Sequence, residues 1–117
     1  MNARDLLTQL PLEAQRRPYI LRLEILELTP SLIKARLFIS PDLFVQVYRN
    51  DRFDSTNLVL VHNQRRIYGR DHSGGVWHRH TISEPDAHDK SKSGRQAVTV
   101  EEFFNEVEAI LAELGLP

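Results

Sequence analysis

Leu32-Ile33-Lys34-Ala35-Arg36-Leu37-Phe38-Ile39-Ser40-Pro41-Asp42-Leu43-Phe44-Val45-Gln46-Val47-Tyr48 holds two alternating runs on either side of a turn signal. In the first, Ile33, Ala35, Leu37 and Ile39 point one way while Lys34 and Arg36 point the other, as a sheet with one wet face requires. Ser40-Pro41-Asp42 reads as a turn, and Leu43, Val45 and Val47 then alternate with Phe44, Gln46 and Tyr48 in a strand that closes at Asn50-Asp51. The two strands form a hairpin.

Outward from this hairpin the pattern repeats. Asn57 to His62, Arg65 to Asp71 and Val76 to Thr81 read as further strands, with turns at Asn63-Gln64 and Ser73-Gly74-Gly75. Upstream, Tyr19 to Leu28 lies between Pro18 and Pro30 and reads as a strand with helix as its rival. No segment between the strands is long enough for a crossover helix, so the succession argues for an antiparallel meander. At the start, Leu6, Leu7 and Leu10 follow an Asn2 cap and give a short helix that stops near Pro11. At the end, Thr99-Val100-Glu101-Glu102 is a capping box, and Phe103, Phe104, Val107, Ile110, Leu111 and Leu114 form an apolar stripe closed by Gly115. The expected fold is therefore α+β: a β-meander of about five to six strands with an N-terminal and a C-terminal helix packed on one face.

Residues 1–117 suit one α+β domain, and a hydrophobic share of 41% is enough for one core. There is no cysteine, which removes disulfides, thiolate metal sites and cysteine nucleophiles and fits a reducing compartment. No apolar run approaches the roughly 18 residues of a membrane span, and Met1 to Leu7 lacks a leader pattern. A cytoplasmic chain with no membrane partner is expected. The net charge of −1 conceals an asymmetry: residues 1–98 carry all 15 Lys and Arg against 11 acids, whereas residues 99–117 carry five glutamates and no base. The body is mildly basic, short of a strongly basic nucleic-acid binder.

His72, His78, His80 and His88 fall within 17 residues, together with Arg70, Asp71, Trp77 and Arg79. Histidine has no special value to a sheet, yet it suits proton transfer and metal ligation near neutral pH. On one strand His78 and His80 share a face about 7 Å apart. A two-residue turn at Gly74-Gly75 places Asp71, Gly69 and Ile67 on that face, with Arg66, Tyr68 and Arg70 behind, beside Trp77 and Arg79. A loop one residue longer reverses the parity and groups Arg, Tyr and His. Gly-Gly favours the shorter turn. Surface histidines, a core tryptophan and edge-protecting Arg65-Arg66 are the bland readings of the same residues. The polar run from Ser83 to Gln96 reads as a long loop.

Arg66-Ile67-Tyr68-Gly69-Arg70-Asp71, the turn, Trp77-His78-Arg79-His80, Glu84-Pro85, His88 and Val98 to Phe103, in this order, resemble the TumE-like family of toxins from toxin–antitoxin pairs. The similarity runs over nearly the whole chain. After the aspartate that family has an asparagine, a proline and adjacent histidines, where this chain has His72-Ser73-Gly74-Gly75-Val76 and single histidines separated by Arg79, which suits a sister group with similar architecture and a different role. The resemblance implies a toxin neutralised by a cognate antitoxin, commonly a helix-turn-helix protein, and action on RNA, with the reaction left open and a ribonuclease as the candidate. On this reading His78 and His80 are acid and base, Asp71 orients them, and Arg66, Tyr68, Arg70, Arg79 and His88 contact substrate, Arg70 or Arg79 meeting phosphate. A homodimer is a further expected partner state. No cofactor and no metal are assigned. The alternatives are a regulatory or interaction domain without enzymatic activity, and a metal-dependent hydrolase using Asp71, His78, His80 and His88.

Overall fold

The computed structural model describes residues 1–89 and 91–116. Alternating side chains, separated by four two-residue turns and one four-residue turn between β3 and β4, produce six successive strands: β1 (Arg22–Thr29), β2 (Leu32–Ser40), β3 (Leu43–Asn50), β4 (Ser55–His62), β5 (Arg65–Ser73) and β6 (Val76–His80). They pair antiparallel in the order β1-β2-β3-β4-β5-β6. Helices α1 (Ala3–Arg16) and α2 (Val100–Leu114) flank them in sequence.

Ile33, Ala35 and Leu37 of β2, Val45 and Val47 of β3, and Leu58 and Leu60 of β4 share one buried cluster with Leu6 and Leu10 of α1 and with Phe103, Phe104, Val107 and Ile110 of α2. Both helices therefore cover one face of the sheet, and the other face stays open. The Thr99 capping box is formed in full, and Gly115 takes the left-handed conformation that ends α2. Among the described residues no helix is long and apolar enough to cross a membrane.

Two expectations need correction. Helix α1 does not stop at Pro11 but runs through it to Arg16. Proline inside a helix forfeits one backbone hydrogen bond and costs about 3 kcal/mol. The turn after Pro11 is held from outside: Glu13, 2% exposed, pairs with Arg17, which also binds Glu108 of α2 at 3.0 Å. The first strand begins at Arg22 rather than Tyr19, and it is a largely exposed edge strand.

Three β-bulges interrupt the ladders. One sits between β4 and β5, where Leu60 pairs with Tyr68 but Val61 pairs with Arg66, leaving Ile67 as the extra residue. This bulge matters for the site, because it flips every side chain before it to the opposite face.

Candidate functional site

Gly74 and Gly75 both have positive φ, 60° and 78°, the conformation a two-residue hairpin turn of type I′ demands. That turn sets the register of β5 on β6: Asp71 lies opposite His78, and Gly69 opposite His80. Asp71, His78 and His80 thus project together from the open face. Gly69 carries no side chain where a Cβ would stand 3.1 Å from the Leu58 carbonyl oxygen and 3.9 Å from the His80 Cβ.

His80 is 4% exposed. Its Nε2 lies 2.8 Å from Asp71 Oδ2. A carboxylate only accepts, so Nε2 carries the proton. Its Nδ1 has two candidate partners, the Pro85 carbonyl at 2.9 Å and the Arg66 guanidinium at 3.1 Å. The carbonyl can only accept and the guanidinium can only donate, so Nδ1 hydrogen-bonds one of the two in any given protonation form. Both of its nitrogens are thereby occupied, and His80 acts on Asp71 rather than on solvent.

His78 and His88 behave differently. His78 Nδ1 stands 3.6 Å from Asp71 Oδ1 and His88 Nε2 3.9 Å from Asp71 Oδ2, both beyond hydrogen-bond length. The His88 ring centre lies 4.8 Å from that of His78 and 4.7 Å from that of His80. The His88 side chain is half exposed, so it caps the cluster from the solvent side.

His88 comes from the long loop, and a clasp beside it explains why it reaches the site. Asp89 and Arg79 form a short antiparallel bridge, in which Asp89 N–H donates to the Arg79 carbonyl at 2.7 Å. The Arg79 Nε also donates to the Asp89 carboxylate at 2.8 Å. The Ser91 backbone amide first, then the Ser91 hydroxyl and Arg79, hold the Asp89 carboxyl down at about 2. A depressed carboxyl stabilises the folded form above its ordinary value and loses that contribution as pH falls through its folded value. The amide resonances of His88, Asp89 and Ser91 should therefore move together in nitrogen–proton correlation spectra between pH about 4 and about 2. The variant Asp89→Asn should abolish that transition, and its persistence there would assign it to another group.

The arginines divide. The Ile67 bulge brings Arg66 onto the open face beside His80, not behind it as uninterrupted alternation requires. Tyr68, Arg70 and Arg79 lie on the helix side, on the opposite face from Asp71, His78 and His80. Arg70, 4% exposed, forks onto Glu106 of α2 at 3.0 and 2.8 Å and donates to the Ser93 carbonyl at 3.0 Å. Tyr68 donates to the same carboxylate. Burial first, then Glu106, pushes its phenol up to about 12, so it stays protonated across the neutral range. Arg79 is committed to Asp89. Tyr68 and Arg70 of β5 and Arg79 of β6, expected as substrate contacts, are engaged within the fold, because strand alternation turns them toward α2 or the loop. His72 stacks on Trp77 on that same side, ring centres 5.1 Å apart.

Sequence reasoning missed the surface next to the cluster. On the open face Lys34, Gln46, Tyr48, Asn57, Val59 and Val61 line a shallow concavity of about 410 Å³ that ends at Arg66. It carries two cations, two amides and an aromatic ring. The wet positions of β2 and β3, Lys34, Gln46 and Tyr48, were its sequence signal. Comparison of the chain with family models, curated proteins and solved structures found no match.

Proposed function

We propose that this chain is the toxin component of a TumE-like toxin–antitoxin pair and that it cleaves RNA at the Asp71 cluster. The observation that carries the reading is the convergence of three imidazoles on one carboxylate on an open sheet face, with the free edge of the cluster continued by Arg66 and the Lys34 concavity. A phosphodiester needs a cation near its non-bridging oxygens, and Arg66 supplies one beside His80. A neighbouring nucleotide needs a stacking surface and amide groups for its base edge, which Tyr48, Gln46 and Asn57 supply. His78 and His88 are the imidazoles that a substrate reaches, and His80 fixes Asp71 from beneath. The acid–base pair therefore moves from His78 and His80 to the His78 and His88 side of the cluster.

Induced expression without an antitoxin should arrest growth. His78→Ala and His88→Ala should each relieve the arrest and lower cleavage of single-stranded RNA by the purified chain about 10²–10⁴-fold, the usual cost of losing one proton-transfer group. Arg66→Ala should weaken RNA binding and flatten its salt dependence by about one counterion. Unchanged toxicity in the His78→Ala/His88→Ala double variant would defeat the reading and favour an interaction domain.

A further inference from the structure

We infer that Asp71, His78 and His88 form a binding site for one divalent transition-metal ion of the zinc type. One ligand atom from each residue lies within 4.8 Å of the other two. The Asp71 oxygens stand 3.6 Å from His78 Nδ1 and 3.9 Å from His88 Nε2. Atoms bound to one ion at about 2.1 Å stand roughly 3–4 Å apart, and each distance, His78 to Oδ1 and His88 to Oδ2 of the same carboxylate, lies in that range. They are too long for hydrogen bonds, so each imidazole nitrogen faces the carboxylate with no direct link to it.

The donor chemistry selects among metals. Two imidazoles with one carboxylate suit zinc and its transition-metal neighbours, whereas magnesium and calcium require an oxygen-rich shell. Three protein ligands on an open face leave at least one position for water or substrate, the arrangement of reactive rather than structural zinc.

A second, independent observation is His80. It is buried, its Nε2–H is fixed on Asp71 Oδ2, and its other nitrogen is held by the Pro85 carbonyl or Arg66. A hydrogen bond from a buried ring to a ligating carboxylate orients that ligand before the metal arrives. Asp71 is also unlike the other paired carboxylates. Asp51, Asp89 and Glu106 each meet an arginine, whereas the ion-pair partners of Asp71 among the described residues are all histidines. With no guanidinium on it, the carboxylate keeps its charge for a cation. His80 is accordingly a positioning residue, not a ligand.

This inference rests on the proposed RNA-cleaving site but gives His78 and His88 to the ion in place of proton transfer, and it is tested without RNA. The full chain, stripped with chelator and titrated calorimetrically with zinc chloride, should bind one ion per chain, and magnesium chloride should give no heat. The melting temperature should rise with zinc and stay unchanged with magnesium. His78→Ala and His88→Ala should each weaken zinc binding at least about 100-fold, and His80→Gln about 10–100-fold, the range for partners behind a ligand. All three variants should retain the far-ultraviolet spectrum of the wild-type chain. Absence of stoichiometric zinc binding by the folded chain, or its retention in the double His78→Ala/His88→Ala variant, would overturn the site. Zinc binding without RNA cleavage sinks the function and leaves this inference standing; chelator-resistant cleavage with no zinc binding does the reverse.

Discussion

Replacing Arg70 by methionine is expected to lower the unfolding free energy by about 3–5 kcal/mol, the cost of breaking a buried ion pair from one side. Methionine keeps much of the volume, so the loss is mainly electrostatic. It strands the Glu106 carboxylate, whose side chain is 28% exposed, against Tyr68 alone, and it removes the donor at 3.0 Å from the Ser93 carbonyl. Burial opposes the charge on Arg70, but Glu106 more than restores it, so the group is a cation in the folded chain. A double variant with Glu106→Leu should recover part of the loss, because no charge is then left unpaired. Urea unfolding with linear extrapolation measures both. A loss below about 1 kcal/mol in the single variant would mean that water already solvates the pair.

Arg70 also bears on the histidine cluster through the loop. It binds carbonyls at Ser93, Gly94 and Gln96, and the same loop presents His88. Arg70→Met should therefore loosen the segment that caps the cluster. A cluster assembled from a rigid hairpin and a clasped loop loses the loop first.

The fold was legible where short-range rules agree with the whole. Strict alternation in β2 and β3, the Gly-Gly turn and the Thr99 capping box each have one good solution, and together they imply the six-stranded meander and its helix-covered face. The parity of Asp71 with His78 and His80 followed from the turn alone. What alternation cannot reveal is a bulge: one extra residue at Ile67 carries Arg66 across the sheet, and no residue type there announces it. Pro11 misled for the opposite reason, since a local rule yields when Glu13, Arg17 and Glu108 hold the next turn in place. The roles of Tyr68 and Arg70 were hidden because Glu106 lies 36 residues beyond Arg70, and sequence does not say which acid on α2 will face which strand. His80 was nominated as acid or base by its spacing with His78. Its burial, set by Pro85 and Arg66, was beyond that spacing.

On the proposed function, Asp71→Asn is expected to lower RNA cleavage by about 10²–10⁴-fold, and it separates orientation from mere proximity. The substitution keeps the shape of the side chain and its place opposite His78. It removes the charge that receives the His80 Nε2–H and replaces one acceptor oxygen by an amide donor. If that donor faces His80, the ring must give up the Nε2 proton and take it at Nδ1, which favours Pro85 over Arg66. If the amide turns away, its nitrogen meets His78 instead, 3.6 Å away in the wild-type geometry. Either way the three imidazoles lose their common anion. Nitrogen-15 spectra of the histidine rings would report the change directly, as a tautomer shift at His80 in the first case and as a changed His78 Nδ1 signal in the second. Zinc affinity should fall together with activity, since a neutral amide is a poor substitute for a carboxylate ligand. Wild-type cleavage by a folded Asp71→Asn chain, with unchanged ring spectra, would show that Asp71 neither orders the histidines nor takes part in the reaction.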